Sequence, residues 1–350
     1  MNRMAVALMV PMLAIVLTAL ALMNPVRPMP SVFLPEDCRR VELVDQRLRV
    51  LQGIEDIVLL SSGEMIFTAH DRRYKETPGR GVFRTTLQDM AEIEGGVIAQ
   101  PIPGVARAVE NLFPHGLAID RAATRLAFVN RPAEGEAEVV WGDIGPQGFL
   151  TAGRWSGGGS CRANDVMFRG ADLVVTIDRA NCSFSFDDAM PGAATGSIMR
   201  VSNRGATPLL EGLAFANGII DHGGQVWVAE TRANRIRNVQ SDAVIELPGG
   251  PDNISPGPLG RMIVALHPDL IDYWLYTLGW SESAGTRILA FDPRRENEEP
   301  TFLFDDPLGK TFSGGSVGAM ALGTLVIGSA YETGVLMCLP SQSRPEGQAG

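Results

Sequence analysis

The stretch FANGIIDHGGQVWVAE, residues 215–230, places Asn217 and Gly218 directly before an apolar run. A glycine pair at 223–224 separates this run from a second one that is rich in β-formers. The stretch therefore predicts a β-hairpin headed by a polar amide. A single copy would indicate only a turn, but the chain repeats the pattern six times.

Each copy opens with small or polar residues, enters an apolar strand, turns at Gly, Ala or Asp, and leaves along a second strand. The other five copies are EDIVLLSSGEMIFTA from Glu55, HGLAIDRAATRLAFVN from His115, NDVMFRGADLVVTI from Asn164, DNISPGPLGRMIVAL from Asp252 and GGSVGAMALGTLVIGSA from Gly314. A third apolar stretch follows each copy. Repeats of roughly 40–50 residues made of short strands are typical of propeller blades. We therefore predict an all-β fold, a six-bladed β-propeller over residues 38–339.

The composition agrees with a propeller and argues against two classes of function, nucleic-acid binding and α/β-type serine hydrolysis. The 350 residues include 39 Gly and 23 Pro, which favours many short strands and turns. The net charge of −10 and the absence of a Lys/Arg run argue against nucleic acid as a partner. No G-x-S-x-G motif occurs, so a serine hydrolase of the α/β type has no support.

The N-terminal segment differs from the rest of the chain because it is a long uncharged apolar run. Residues 4–23 carry no charge, and twenty residues at about 1.5 Å rise would cross a hydrocarbon core of about 30 Å. Ala19-Leu20-Ala21 resembles a signal-peptidase site. Within residues 1–30 we predict an apolar helix that is either a membrane anchor or a cleaved export signal. Both alternatives place the protein in the periplasm or outside the cell. Residues 340–350 are predicted to be a disordered tail.

The polar residues that head the repeats are predicted to meet in the central channel. The innermost strands of all blades line that channel, so residues at their equivalent ends converge. These residues are Glu55, Asp56, His115, Asn164, Asp165, Asn217, Asp252 and Asn253. Buried carboxylates without a counter-charge would protonate, and carboxylate and amide oxygens together select a hard ion, best Ca²⁺. We expect a calcium tunnel; the alternative is a set of polar groups that only bond each other and trapped water.

The segments GIEDIVLL, FPHGLA, ANDV, FANGI, DNIS and ALHP, in this order, resemble the serum paraoxonase/arylesterase family. Members of that family are six-bladed propellers with two calcium ions, and they hydrolyse lactones, aryl esters and, in some members, organophosphates. The resemblance implies a small-molecule lactone or ester as substrate. It implies a catalytic calcium held by Glu55, Asn164, Asn217, Asp252 and Asn253. It also implies a structural calcium held by Asp56, Asp165 and the main-chain carbonyl of Leu117.

The same resemblance implies how catalysis would proceed. Calcium would polarise the substrate carbonyl, and His115 stands where the family places its candidate general base. His267 matches a further site histidine, and we expect it to contact the substrate. If His115 does not activate the water, Glu55 or Asp252 beside the metal is the alternative base.

Two arginines depart from the family pattern. Arg131, in FVNRP, replaces the second histidine of the catalytic dyad, and Arg179, after Asp178, replaces the histidine of an Asp-His pair. Because arginine cannot relay a proton, the dyad mechanism does not transfer directly. We expect Arg131, Asp178 and Arg179 to take part in substrate binding.

Four cysteines suit an oxidising compartment. Cys38 begins the propeller and Cys338 ends its last strand, so a bridge between them would close the ring, and the family has this bridge. Cys161 and Cys182 flank the hairpin of the third repeat almost symmetrically, which suggests a second disulfide. Two free thiols are the alternative for that pair.

Two further expectations concern the periphery. His70 and His222 lie in predicted turns and are expected at the surface. LIDYWLYTLGW, residues 270–280, is expected either to form an apolar rim near the substrate or a membrane, or to pack inside the fifth blade.

The leading hypothesis is a calcium-dependent lactonase and arylesterase. The alternatives are a non-catalytic binding propeller, and an enzyme of the sugar-lactonase or strictosidine-synthase type on the same fold.

Overall fold

The computed structural model describes residues 26–73, 79–109, 111–132, 137–183, 193–295 and 298–340. The predicted N-terminal apolar segment 4–23 lies outside these ranges, as does the predicted tail from residue 341 on. Among the described residues, no helix has the length and apolarity needed to cross a membrane.

Within these ranges, six antiparallel sheets form the blades, each with four main strands, and Gln52–Ile54 adds a fifth strand to the last sheet. The first repeat strand of each sheet contacts that of the next sheet, and the sixth contacts the first, so the ring is closed. The predicted six-bladed β-propeller is confirmed.

The blades are numbered in chain order, and their strands are given from the axis outward. Blade 1 comprises Ile57–Leu59, Glu64–Ala69, Gly81–Thr86 and Gln100–Pro101; blade 2 comprises Pro114–Ile119, Arg125–Asn130, Glu138–Gly145 and Gly148–Ser156; blade 3 comprises Ala163–Arg169, Asp172–Ile177, Gly196–Ser202 and Gly205–Leu213. Blade 4 comprises Ala216–His222, Gln225–Glu230, Arg235–Asn238 and Val244–Glu246; blade 5 comprises Gly250–Pro256, Met262–His267, Thr286–Phe291 and Thr301–Asp306; blade 6 comprises Gly315–Ala321, Thr324–Thr333, Val335–Cys338 and Cys38–Val41.

Elements outside the blades are short. The remaining strands are Leu43–Val44, Gln52–Ile54 and Val97–Ile98, and the α-helices are Leu87–Glu92, Val105–Ala108 and Leu270–Thr277. Four 3₁₀ turns are described at Pro35–Asp37, Ser160–Arg162, Thr231–Ala233 and Pro258–Gly260.

Burial decreases from the axis outward. The second strand of blade 2, Arg125–Asn130, is buried along nearly its whole length because neighbouring blades cover both of its faces. The outermost strand of blade 3, Gly205–Leu213, is mostly exposed. Inner strands therefore read as continuous apolar runs of Val, Ile, Leu and Phe, the pattern of strands covered on both sides.

The ring is closed by the N-terminal part of the propeller. Strand Cys38–Val41 pairs with the last strand, Val335–Cys338, and a disulfide joins Cys38 to Cys338. A second disulfide joins Cys161, in the 3₁₀ turn before blade 3's inner strand, to Cys182, just after the second strand. Both predicted disulfides are confirmed.

The segment 270–280 contains a helix, Leu270–Thr277, which connects two strands of blade 5. Asp269 caps it through bonds from the backbone N–H groups of Ile271 and Asp272. Tyr276 is buried, whereas the side chains of Trp274 and Trp280 are 45% and 61% exposed. The segment therefore packs through one face and exposes the other, and a rim near the substrate or a membrane stays a prediction.

The surface placement predicted for His70 and His222 is wrong. His222 is buried against Asp292, with Nε2 3.5 Å from Oδ1. The ring of His70 packs edge-on against Phe113 with centroids 4.9 Å apart. The turn residues around them suggested exposure, but blade-to-blade packing covers both side chains.

Candidate functional site

The polar residues that head the repeats stand at the start of the inner strands, where the pairing with the second strand is irregular. In blades 3, 4 and 5, two successive residues of the inner strand lie opposite a single residue of the second strand. The irregular steps contain Asn164-Asp165, Asn217-Gly218 and Asp252-Asn253. An extra residue leaves the ladder locally unpaired and re-aims side chains. This local geometry lets two successive polar residues face the channel region instead of alternating faces.

Glycine at the second head position allows adjacent blades to approach closely. A Cβ on Gly116 would lie 2.5 Å from both the carbonyl oxygen of Asn164 and the Cα of Asp165. A Cβ on Gly218 would lie 2.5 Å from the carbonyl oxygen of Asp252 and 2.7 Å from the Cα of Asn253. The opening Asn-Gly pair is therefore not a turn signal, because its glycine is the contact surface for the next blade.

Asp56 and Asp165 each connect two blades. Asp56 accepts the N–H of Ile57 through Oδ1 at 2.8 Å and that of Leu117 in blade 2 through Oδ2 at 2.6 Å. Asp165 accepts the N–H of Val166 through Oδ1 at 2.7 Å and that of Ile219 in blade 4 through Oδ2 at 2.9 Å. The observed contact to Leu117 is thus made by its N–H.

These two carboxyls are held in an environment that disfavours their charge. Burial raises the pKa of Asp165 to about 8, and Glu55 and Asp252 add to the increase. Burial also raises the pKa of Asp56 well above its usual range, with Asp165 and Glu55 as further causes. A cation bound nearby would remove this penalty, and a proton is the other way to remove it.

Three buried amide oxygens lie among the same residues. Asn164 Oδ1, Asn217 Oδ1 and Asn253 Oδ1 have no hydrogen-bond partner among the described residues. The amide nitrogens of two of them are engaged: Asn217 donates to Thr231 Oγ1 at 3.2 Å, and Asn253 donates to the Glu55 carbonyl at 3.0 Å. These bonds fix the amide orientation and leave an oxygen unpaired. Buried acceptors without a donor are costly and need a partner.

The described acidic and histidine side chains alone do not form a group of three that could hold a metal ion. A metal at the channel would therefore depend on the amide oxygens together with Glu55 and Asp252. Such an all-oxygen donor set fits a hard cation and does not fit zinc or copper.

Glu55 is the centre of a buried charged cluster. Its Oε2 lies 2.7 Å from Arg72 Nη2 and 3.0 Å from His115 Nδ1. Burial by itself would raise the pKa of Glu55, but Arg72 and His115 outweigh it and lower the pKa to about 2. Burial and Arg72 lower the pKa of His115 to about 3. The pair at neutral pH is therefore a carboxylate beside a neutral imidazole.

This pairing selects a tautomer for His115. An ionised carboxylate can only accept, so this contact favours the proton on Nδ1 and leaves the lone pair on Nε2, although its geometry falls short of a hydrogen bond. A carboxylate beside an imidazole can orient a catalytic histidine in this way, and the lowered pKa makes His115 a weak proton acceptor.

His267 is paired with the other predicted carboxylate ligand. Its Nε2 lies 2.9 Å from Asp252 Oδ2, and its ring stacks on Tyr273 with centroids 3.4 Å apart. His267 is buried and is placed to hold Asp252 in position. Its expected contact with a substrate stays a prediction.

The two arginines that depart from the family pattern meet at one carboxylate. Asp178 accepts two bonds from Arg162, Nε to Oδ1 at 2.8 Å and Nη2 to Oδ2 at 2.7 Å. Arg131 Nη1 contacts Asp178 Oδ2 at 3.3 Å, and Arg179 Nε lies 3.5 Å from Oδ1. Burial, Arg162 and Arg72 are the causes that lower the pKa of Arg131 to about 10. Arg131, Asp178 and Arg179 therefore lie together, and their expected part in substrate binding stays a prediction.

Sequence reasoning missed Arg72 and Arg162. Arg72 lies three residues beyond the second strand of blade 1, and Arg131 and Asp178 directly follow the second strands of blades 2 and 3. The ends of the second strands thus form another convergent position. Comparing the repeats at that position, and not only at the heads, would have pointed to Arg72.

Comparison with known proteins shows the fold. No protein-family model matches the chain, and no curated protein matches it. A solved structure of a protein of unknown function from Bacteroides thetaiotaomicron is 9% identical with a TM-score of 0.51, covering 86% of this chain and 74% of its own. A gluconolactonase from Xanthomonas campestris is 15% identical, TM-score 0.48, covering 90% of this chain and 99% of its own. The calcium-binding protein regucalcin from Agrobacterium tumefaciens is 12% identical, TM-score 0.46, covering 89% and 95%.

Proposed function

We propose that the protein is a metal-dependent hydrolase of lactones and aryl esters, similar to the paraoxonases. The observation that carries the proposal is the set of three unpaired, buried amide oxygens of Asn164, Asn217 and Asn253. They lie among the strand heads that also hold the carboxylates of Glu55 and Asp252, with a neutral histidine whose Nδ1 lies 3.0 Å from Glu55 Oε2.

The donors fit calcium, which prefers six to eight oxygen ligands. Glu55, Asn164, Asn217, Asp252 and Asn253 would hold it. When bound, calcium would polarise a substrate carbonyl and stabilise the negative charge that develops on its oxygen. Arg72 and His115 both approach Oε2 of Glu55, at 2.7 and 3.0 Å.

His115 supplies the acid–base chemistry in this proposal. Glu55 holds the Nδ1 proton, and Nε2 accepts a proton from water as the water oxygen bonds to the carbonyl carbon. The ring or ester C–O bond then breaks, and the same proton returns to the leaving alkoxide. The net reaction adds one water across the ester bond.

A second calcium beside Asp56 and Asp165 is part of the proposal. Their mutual repulsion and raised pKa values support a cation there. The backbone bonds of both side chains to neighbouring blades suggest that such an ion would stabilise the ring.

We also propose export to the periplasm or the cell exterior, with residues 4–23 as anchor or signal. The two disulfides support an oxidising compartment.

The test is hydrolysis of aliphatic lactones and phenyl acetate, with and without a chelator. We expect chelation to abolish activity and calcium to restore it. Asn217→Ala should raise the calcium requirement, whereas Asn203→Ala, in an exposed turn, should behave as the parent protein. Activity that is insensitive to chelator and to Asn217→Ala would contradict the proposal.

A non-catalytic binding propeller is the second candidate, and Arg72 is the observation that favours it. Its guanidinium pairs with Glu55 and is also influenced by Asp252, so it already places a positive charge among the proposed ligands. In that case calcium would not bind, and the assay panel would show no turnover in any condition.

A further inference from the structure

The three arginines around Asp178 carry more positive charge than that carboxylate can balance. Arg162 occupies both oxygens of Asp178, and Arg131 and Arg179 pair with the same carboxylate, so three positive charges surround this one described acidic side chain. The Asp178 side chain is 1% exposed, while the three arginine side chains are 12–21% exposed. The carboxylate is therefore more deeply buried than the three arginine side chains that surround it.

The hydrogen bonds are distributed unequally among the three. Arg162 binds Asp178 with two nitrogens, which is the strong bidentate arrangement. Arg131 uses one nitrogen at 3.3 Å, and Arg179 approaches no closer than 3.5 Å. Among the described residues, Asp178 is the one acidic side chain that these two arginines pair with. Their remaining donors are thus available for another oxyanion.

The cluster stands beside the proposed reaction centre. Arg162 is two residues before Asn164, so their Cα atoms are at most about 7 Å apart. The backbone N–H of Arg131 bonds to the carbonyl of Phe113, two residues before His115. A small substrate could therefore reach both the arginines and His115.

We propose that Arg131, Arg162 and Arg179 bind a carboxylate or phosphate group on the substrate, so that the enzyme selects lactones or esters that carry a second, negatively charged group. The planar fork of arginine matches both kinds of oxyanion. The assignment of the substrate class rests on the proposed hydrolase function, but the binding of an anion does not.

Partial burial makes an unpaired positive charge costly, and that cost supports the assignment. Three guanidinium groups on one carboxylate repel each other, and an incoming anion relieves the repulsion as well as forming bonds. The lowered pKa of Arg131, caused by burial together with Arg162 and Arg72, reflects the same excess of positive charge.

The test compares Arg179→Gln with the parent protein and with Arg154→Gln, a control on the outer strand of blade 2 whose side chain is 56% exposed. Arg179 is chosen because its contact with Asp178 is the weakest of the three, so the variant should fold. The first readout is calorimetric binding of inorganic phosphate and of glutarate, which separates the two oxyanion types. We expect Arg179→Gln to weaken the preferred anion about 10–100-fold, as for loss of a charge-assisted bond, and Arg154→Gln to leave it unchanged.

The second readout is kcat/KM for a neutral lactone and for lactones bearing a carboxylate or a phosphate. Arg179→Gln should lower the ratio of kcat/KM for the charged lactone to kcat/KM for the neutral lactone about 10–100-fold. If anion binding depends on Arg179 but no lactone is hydrolysed, the anion site is supported and the proposed hydrolase function is contradicted. If the protein hydrolyses lactones without preferring charged ones, and Arg179→Gln changes the binding of neither phosphate nor glutarate, the proposed anion site is overturned. The proposed hydrolase function would then still stand.

Discussion

Removing calcium should make the stability of the protein fall between pH 7 and pH 8. Asp165 has a pKa of about 8 in the folded protein against a reference value of 3.8, because it is buried. A carboxyl whose pKa is raised by folding stabilises the folded state below its unfolded pKa, and this stabilisation is lost as pH rises through the folded pKa. Ionisation without a cation should therefore destabilise the ring.

The size follows from the two pKa values. Between pH 7 and pH 8, a site with a pKa of about 8 contributes a loss of about 1 kcal/mol in the free energy of unfolding. Asp56 adds to it in the same direction, because its pKa is also raised. With an unfolding entropy of about 2.1 cal/mol/K per residue, a loss of about 1 kcal/mol lowers the Tm of a propeller of about 300 residues by about 1.5 °C.

The pH window avoids the buried histidines. His70 and His115 have pKa values lowered to about 3 from a reference of 6.5, through burial and Arg72. These lowered pKa values make stability rise with pH, because the unfolded chain binds the histidine protons more tightly. That rise is nearly finished above the unfolded pKa, so the histidines contribute little between pH 7 and pH 8.

The assay is thermal unfolding in chelator at pH 7 and pH 8, repeated with calcium. At about 100 times its Kd, calcium should add about 2.7 kcal/mol and flatten the pH dependence. Asp165→Asn should remove most of the dependence in chelator, while Asp172→Asn, at an exposed ion pair in the same blade, should keep it. A Tm in chelator that does not change between the two pH values would refute the reasoning.

Three further outcomes are expected. His115→Gln should lower kcat/KM for lactones about 10²–10⁴-fold with unchanged calorimetric binding of calcium, because the base is lost and the ligands remain; retention of most activity would transfer the role of base to a carboxylate. Arg72→Gln should tighten calcium binding, because a guanidinium 2.7 Å from Glu55 repels the ion, and an equal or weaker affinity would show that the two charges do not compete. Gly218→Ala should lower the free energy of unfolding by about 1–3 kcal/mol, since the new Cβ would lie 2.5 Å from a backbone oxygen, whereas Gly145→Ala, with open space around it, should have little effect.

The repeat pattern predicted the fold because the blade is a local structure. A hairpin and a third strand use residues close together in the chain, so turns and apolar runs suffice to identify them. The same pattern placed Asn217 and its counterparts at equivalent strand ends. The symmetry of the ring then implied that they meet, which their burial and mutual electrostatic effects agree with.

What the repeats could not predict is which charged side chains pair. Arg72 pairs with Glu55 within blade 1, and Arg131 of blade 2 pairs with Asp178 of blade 3, so side chains from different strands decide both contacts. The burial of His222 and the partial burial of His70 likewise result from packing between distant segments, although their local sequence is that of turns.

The residue types at the strand heads and the order of the six repeats were thus contained in the sequence alone, because each blade is built from neighbouring residues. The protonation states, the tautomer of His115 and the excess positive charge around Asp178 were decided by the tertiary structure, because burial and the distance between charges determine them.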